Sequence, residues 1–142
     1  GAMGRVLRSH LIVEYYMTEY IQKNNPNLGI IDGARIGFAQ KIDLLGDLDV
    51  LLTALIPGIR KLNAVRNRLA HNLCVAVTPD DVNVFRSIQY YWAMRTTSEK
   101  GHPKLSTDPL DIYDHFAQFT ASIFHHSASE EVDYWSKAFS TK

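Results

Sequence analysis

One cysteine, Cys74, occurs among 142 residues, which excludes an internal disulfide framework and fits a reducing compartment. No apolar run approaches the roughly 20 residues that span a bilayer, so no membrane association is expected. Nothing at the N-terminus reads as a signal peptide, and a cytoplasmic location is the expectation. Gly1-Ala2-Met3-Gly4 reads as the remnant of a cleaved tag, which leaves residues 5–142 as a single domain. Charge of one sign is lacking too: 15 Lys and Arg meet 15 Asp and Glu, so the whole-chain field makes no case for nucleic acid. A Gly-rich phosphate loop, a Cys/His metal set and a Ser-centred elbow are all missing, and neither metal nor cofactor is expected.

What is present is a globular composition, 46% apolar and 21% charged, of a length that suits one domain with a core of its own. Strand-like alternation is as scarce as cysteine, and helical spacing recurs instead. Residues 5–23 keep apolar lines through Leu7, Leu11, Tyr15 and Ile21 until Asn24-Asn25-Pro26-Asn27 ends them. Residues 34–46 read as a second helix with a Gly46 stop. Residues 48–56 are a short apolar stretch, after which Pro57-Gly58 breaks or kinks the chain and opens a helix to about Asn72. Thr78-Pro79-Asp80-Asp81 sets an N-cap, a first-turn proline and two acids at the head of a helix over 78–94. The polar stretch 96–108 reads as a long loop, Asp108-Pro109 starts a helix through His125, and a short one covers 129–139 around Val132, Trp135 and Phe139. The expected fold is all-α, a single-domain bundle of five or six helices.

Basic residues are unevenly spread: Arg5, Arg8, Arg35, Lys41, Arg60, Lys61, Arg66 and Arg68 crowd the first half, so a local basic patch is compatible with a neutral chain. Within 59–73, IRKLNAVRNRLAHNL, no acid appears. At about 100° per residue from Arg66, the residues Ile59, Leu62, Val65, Leu69 and Leu73 span an arc from about −100° to +20°. Arg66 therefore lies inside the apolar arc. Asn63, Asn67, Arg60 and His71 line up beside it, while Lys61 and Arg68 point away, most simply into solvent. An unpaired guanidinium on a buried seam is costly, so Arg66 needs a carboxylate such as Glu14 or Asp47, a partner chain, or a bound anion. Arginine grips phosphate with a planar fork, and histidine moves protons near neutral pH. Asn67 and His71, four apart, share a face, so the amide can orient the ring.

The run Arg66-Asn67-Arg68-Leu69-Ala70-His71 resembles the Arg-polar-x-x-x-His signature of the HEPN superfamily, set near the end of a long helix in an all-α domain. The resemblance implies a metal-independent endoribonuclease, in many members a toxin or phage-defence effector, with two subunits bringing their motifs into one cleft. It implies that Arg66 stabilises charge on the phosphate, that His71 acts as general acid or base, and that Asn67 orients His71 or holds phosphate. RNA is then the substrate, a homodimer the active form, and an antitoxin or other regulator a possible partner. One departure is Leu73, where a subset of HEPN toxins carries a tyrosine that their nucleotidyltransferase antitoxin modifies. Other members have lost catalysis and serve as dimeric modules that bind nucleotide, nucleic acid or protein.

Arg60, Asn63 and Arg68 are candidate substrate contacts on the same helix, and His10 and Glu14 on the first helix face the same cleft or form an ordinary exposed pair. His125-His126 are adjacent and do not make a helical metal pair. Cys74, in an apolar run, reads as a small buried hydrophobe. The aromatic clusters Tyr15-Tyr16, Tyr90-Tyr91-Trp92 and Tyr134-Trp135 fit a core or dimer interface more readily than base stacking. Lys100, His102 and Lys104 read as a solvated loop. A purely structural adaptor, with Arg66 paired inside one chain, is the remaining reading.

Overall fold

A computed structural model describes residues 1–31, 36–46, 48–72, 76–97 and 105–140, with side chains as far as 128. Among the described residues, six helices make up the all-α bundle: α1 (Ala2–Asn24), α2 (Phe38–Asp43), α3 (Val50–His71), α4 (Pro79–Ser87), α5 (Gln89–Thr96) and α6 (Pro109–Ser140), with a 3-10 turn at Pro26–Leu28. No strand occurs among the described residues. α1 and α6 pack along each other, and α3 lies across both. Val13, Met17 and Ile21 of α1, Leu55, Ile59, Leu62 and Val65 of α3, and Ile112, Tyr113, Phe116 and Phe124 of α6 are fully buried. Phe85 of α4 stacks on Phe116 at 4.4 Å.

Several boundaries differ from those the sequence suggests. α1 takes in Ala2, Met3 and Gly4, which sequence reading left outside the fold. α2 is shorter than 34–46: it ends at Asp43 with Leu44 as its C-cap, so Gly46, left-handed at φ 71, lies in the turn beyond the helix rather than at the stop expected there.

α3 neither breaks nor starts at Pro57; it runs on from Val50, capped by the Asp49 carboxylate, which accepts from the Leu52 N–H at 2.8 Å. Proline there removes one bond to the Thr53 carbonyl, but both residues are exposed, so water can replace it. Leu52, Leu55, Ile59 and Leu62 on the other side are at most 1% exposed, and burying each is worth about 1.5–3 kcal/mol. Burial outweighs a helix cost of about 3 kcal/mol.

The helix expected over 78–94 is two. Ile88 turns extended (φ −82, ψ 96), which brings Tyr91 into the core, edge-on to Phe116 at 5.0 Å. In the last third, α6 continues without a gap between 125 and 129, since no Gly or Pro interrupts 110–140. The expected packing of Val132, Trp135 and Phe139, and the aromatic pair Tyr134-Trp135, concern side chains outside the described residues. So do Arg35, Asp47, Leu73, Cys74, Lys100, His102 and Lys104.

Candidate functional site

The second half of α3 is anchored by its neighbours on two sides. Toward α6, the Tyr113 hydroxyl donates to the Leu62 carbonyl at 2.7 Å, fully buried. Toward α4, Arg68 grips the Asp81 carboxylate with both terminal nitrogens at 2.6 Å and also donates to the Ala76 carbonyl at 3.0 Å. Asp81 in turn accepts from the Thr78 N–H at 2.7 Å, while the Thr78 hydroxyl accepts from the Asp81 N–H at 3.3 Å. That reciprocal cap starts α4. Burial alone would push Asp81 up, but the bonds from Arg68 and Thr78 more than offset it and hold the carboxyl at about 2. Lys61 reaches the same carboxylate at 3.9 Å. Arg68 and Lys61 thus turn toward α4 rather than into solvent, and Arg68 ties the two helices together.

Arg66 is half-buried on the side of α3 that meets α1. It donates to the Asn67 side-chain oxygen at 3.1 Å. Its Nε is buried and has no hydrogen-bond partner among the described residues, and no described carboxylate lies within 4.0 Å of it. Glu14, one of the two carboxylates considered for it, is 3.4 Å from Lys41 instead; Asp47, the other, lies outside the described residues. Asn67 and His71 are exposed, and His71 is the last residue of α3. Within one chain, Arg66 and Asn67 therefore touch, while His71 stands a turn further on, open to solvent.

His10 and Asn63 are brought together: the His10 ring bonds the Asn63 amide oxygen at 3.0 Å and stacks on Phe38 at 4.2 Å. Burial lowers the His10 pKa, and the nearby charges of Arg66 and Lys41 act the same way, against the Asn63 bond and Glu14. The ring is thereby held neutral near pH 7, with its Nε2 N–H donating to Asn63. Arg60 points elsewhere, to Asp43 at 3.2 Å on an open surface.

Lys41 is the residue that sequence reasoning placed in no site. It is 6% exposed and shares a helical face with Phe38 and Ile42, so a cation inside an apolar stripe, the signal that singled out Arg66, was available here too. A second polar pair also escaped it: the Tyr91 hydroxyl bonds His115 Nδ1 at 2.7 Å inside the bundle. His125 and His126 are exposed, with ring centroids 5.6 Å apart. No group of three or more potential metal ligands occurs among the described residues.

Chemically, the fold defines a helical bundle with an arginine half-sunk in a seam, an amide against it and an imidazole at the helix end. No described helix is long and apolar enough to cross a membrane. No protein-family model, curated protein or solved structure matches the chain.

Proposed function

We propose that the protein is a metal-independent endoribonuclease of HEPN type, cytoplasmic and active as a homodimer, serving as a toxin or phage-defence effector under a regulatory partner. The observation that carries this reading is Arg66, an always-charged, half-buried group with no carboxylate within 4.0 Å among the described residues, with the motif's Asn67 exposed against it and His71 exposed at the end of the same helix. A phosphate is the ligand that suits an always-charged guanidinium that no carboxylate holds among the described residues.

In the proposed reaction, the ribose 2′-hydroxyl attacks the adjacent phosphorus and the 5′-oxygen of the next nucleotide leaves. His71 takes or supplies the proton, and Arg66 offsets the charge that grows on the phosphoryl oxygens. The product ends in a 2′,3′-cyclic phosphate. DNA, which lacks the nucleophile, is not cut.

The test is incubation of purified protein with mixed RNA in EDTA, beside His71→Ala and Arg66→Ala of matched fold and mass. Cleavage that leaves cyclic ends should drop by about two to four orders of magnitude in His71→Ala and by about two to three in Arg66→Ala. Cleavage that persists in His71→Ala would count against the assignment. The Arg66–Asn67 bond at 3.1 Å favours one second reading, because it engages both residues with each other in the single chain. That reading is a non-catalytic module binding nucleotide, nucleic acid or protein at the same seam, and it predicts binding without turnover.

A further inference from the structure

Leu11 and Tyr15 are 62% and 61% exposed. They stand one helical turn apart on the side of α1 away from the fully buried Val6, Val13 and Met17. With Arg8, Glu19 and Gln22 they line an open groove of about 750 Å³. Two large apolar side chains in water beside a groove make a surface that gains from being covered.

The charges on that surface select what covers it. At about 100° per residue, Arg8 and Glu19 fall on the same flank of the Leu11–Tyr15 stripe, about 20° apart. Along the helix they lie on opposite sides of the stripe's midpoint, about 8 Å and about 9 Å away. Neither has an ion-pair partner among the described residues. A two-fold axis perpendicular to α1 at that midpoint lays a second α1 antiparallel on the first. Leu11 then meets Tyr15 of the other copy, and Arg8 reaches the height and flank of the other copy's Glu19, each contact occurring twice. On the opposite flank Glu14 nears its own symmetry mate, and Lys41, 3.4 Å from Glu14 within each chain, offsets that repulsion. A polyanion would be attracted by Arg8 and repelled by Glu19 and Glu14; a second copy satisfies them.

We propose that this face of α1 is a self-association surface, packed antiparallel against α1 of a second copy through the Leu11–Tyr15 stripe and reciprocal Arg8–Glu19 ion pairs. It goes beyond the ribonuclease reading, which asks that two subunits share a cleft at Arg66, Asn67 and His71 and assigns no role to this face of α1. It also stands independently of that reading, because mass reports it and cleavage does not. Glu14 and Lys41 line the groove and also act on the His10 ring together with Arg66, so the surface borders the seam.

Sedimentation equilibrium on the full chain tests it, with circular dichroism to confirm the fold of each variant. The parent should be dimeric and Leu11→Asp monomeric. Arg8→Glu and Glu19→Arg should each weaken dimerisation about tenfold, and the double reversal Arg8→Glu/Glu19→Arg should return to within about threefold of the parent. A parent that stays monomeric up to about 0.1 mM overturns the proposal. So does a dimer indifferent to these changes, or a double reversal no better than the singles. RNA cleavage on the same samples separates the two ideas: a monomeric Leu11→Asp that still cuts RNA refutes the shared cleft and leaves this surface intact.

Discussion

Gly58→Ala sets two known effects against each other where α3 packs on Phe116 of α6. In a helix interior, alanine is better than glycine by about 1 kcal/mol. Here, however, an added Cβ would collide with Phe116 Cζ, stand 2.7 Å from Phe116 Cε1 and lie 3.1 Å from Ile88 Cδ1. The phenyl ring would have to retreat by roughly 1 Å to regain ordinary contact. It has nowhere to go, because it is fully buried, stacked on Phe85 at 4.4 Å and met edge-on by Tyr91 at 5.0 Å. Overpacking of this kind costs about 1–3 kcal/mol; a clash this deep belongs at the upper end, leaving a net loss of about 2 kcal/mol after the propensity gain. Urea unfolding followed by circular dichroism should show the midpoint lower by about 1 M with the slope unchanged. Gly4→Ala, where a Cβ would meet nothing within 4 Å, is the control and should be neutral or slightly stabilising. Gly58→Ala/Phe116→Leu should recover part of the loss, since the smaller side chain opens the contact. A Gly58→Ala midpoint equal to or above the parent's would refute the α3–α6 packing that sets where Arg66 stands.

Asp81 gives a pH prediction with a definite sign. Its carboxyl is held at about 2 against an ordinary 3.8, so its contribution to stability is fully present above about pH 4 and is lost as the pH falls toward 2. The full shift corresponds to about 2 kcal/mol, and the exposed side of Arg68 trims that toward about 1; Asp81→Asn should therefore flatten the acid limb of the urea midpoint against pH. Arg68→Ala, which leaves the buried carboxylate without its fork, should lower stability at pH 7 by about 2 kcal/mol by the same denaturation measurement. Tyr113→Phe should cost about 1 kcal/mol, because Leu62 loses the 2.7 Å hydroxyl donor yet keeps its place in the helical ladder.

Local signals were the legible part of this sequence. Thr78 caps α4 as its spacing suggests, and Asp108 accepts from the Leu110 N–H at 2.9 Å to start α6, because a cap is decided within four residues. Pro57 misleads for the opposite reason. Its local preference is to start a helix, and only the burial of Leu52 and Leu55 before it and Ile59 after it makes the helix run through. The break at Ile88 carries no Gly or Pro and follows from where Tyr91 can find Phe116. Helical-wheel angles place Arg66 at the edge of the core correctly, but they send Lys61 and Arg68 to solvent. An angle describes one helix, and long side chains reach for Asp81 on the next. The His10–Asn63 bond was beyond reach for that reason: it joins residues 53 apart that only the α1–α3 crossing brings together.

That crossing also decides what the seam can accept. Arg66 and Lys41 are cations on it, Glu14 is 3.4 Å from Lys41, and His10 adds no charge near neutral pH, since burial and the two cations hold its pKa down. Among the described residues the seam thus carries two positive charges and one negative one, with the guanidinium as the cation not offset. Had Glu14 paired with Arg66, the adaptor reading would have closed the site. Because Lys41 takes Glu14, the guanidinium that suits a phosphate keeps no carboxylate partner among the described residues. The proposed catalysis accordingly rests on a lysine outside the motif. Lys41→Met would free Glu14 to turn toward Arg66, and through that competition it should weaken RNA binding while leaving Arg66, Asn67 and His71 unaltered.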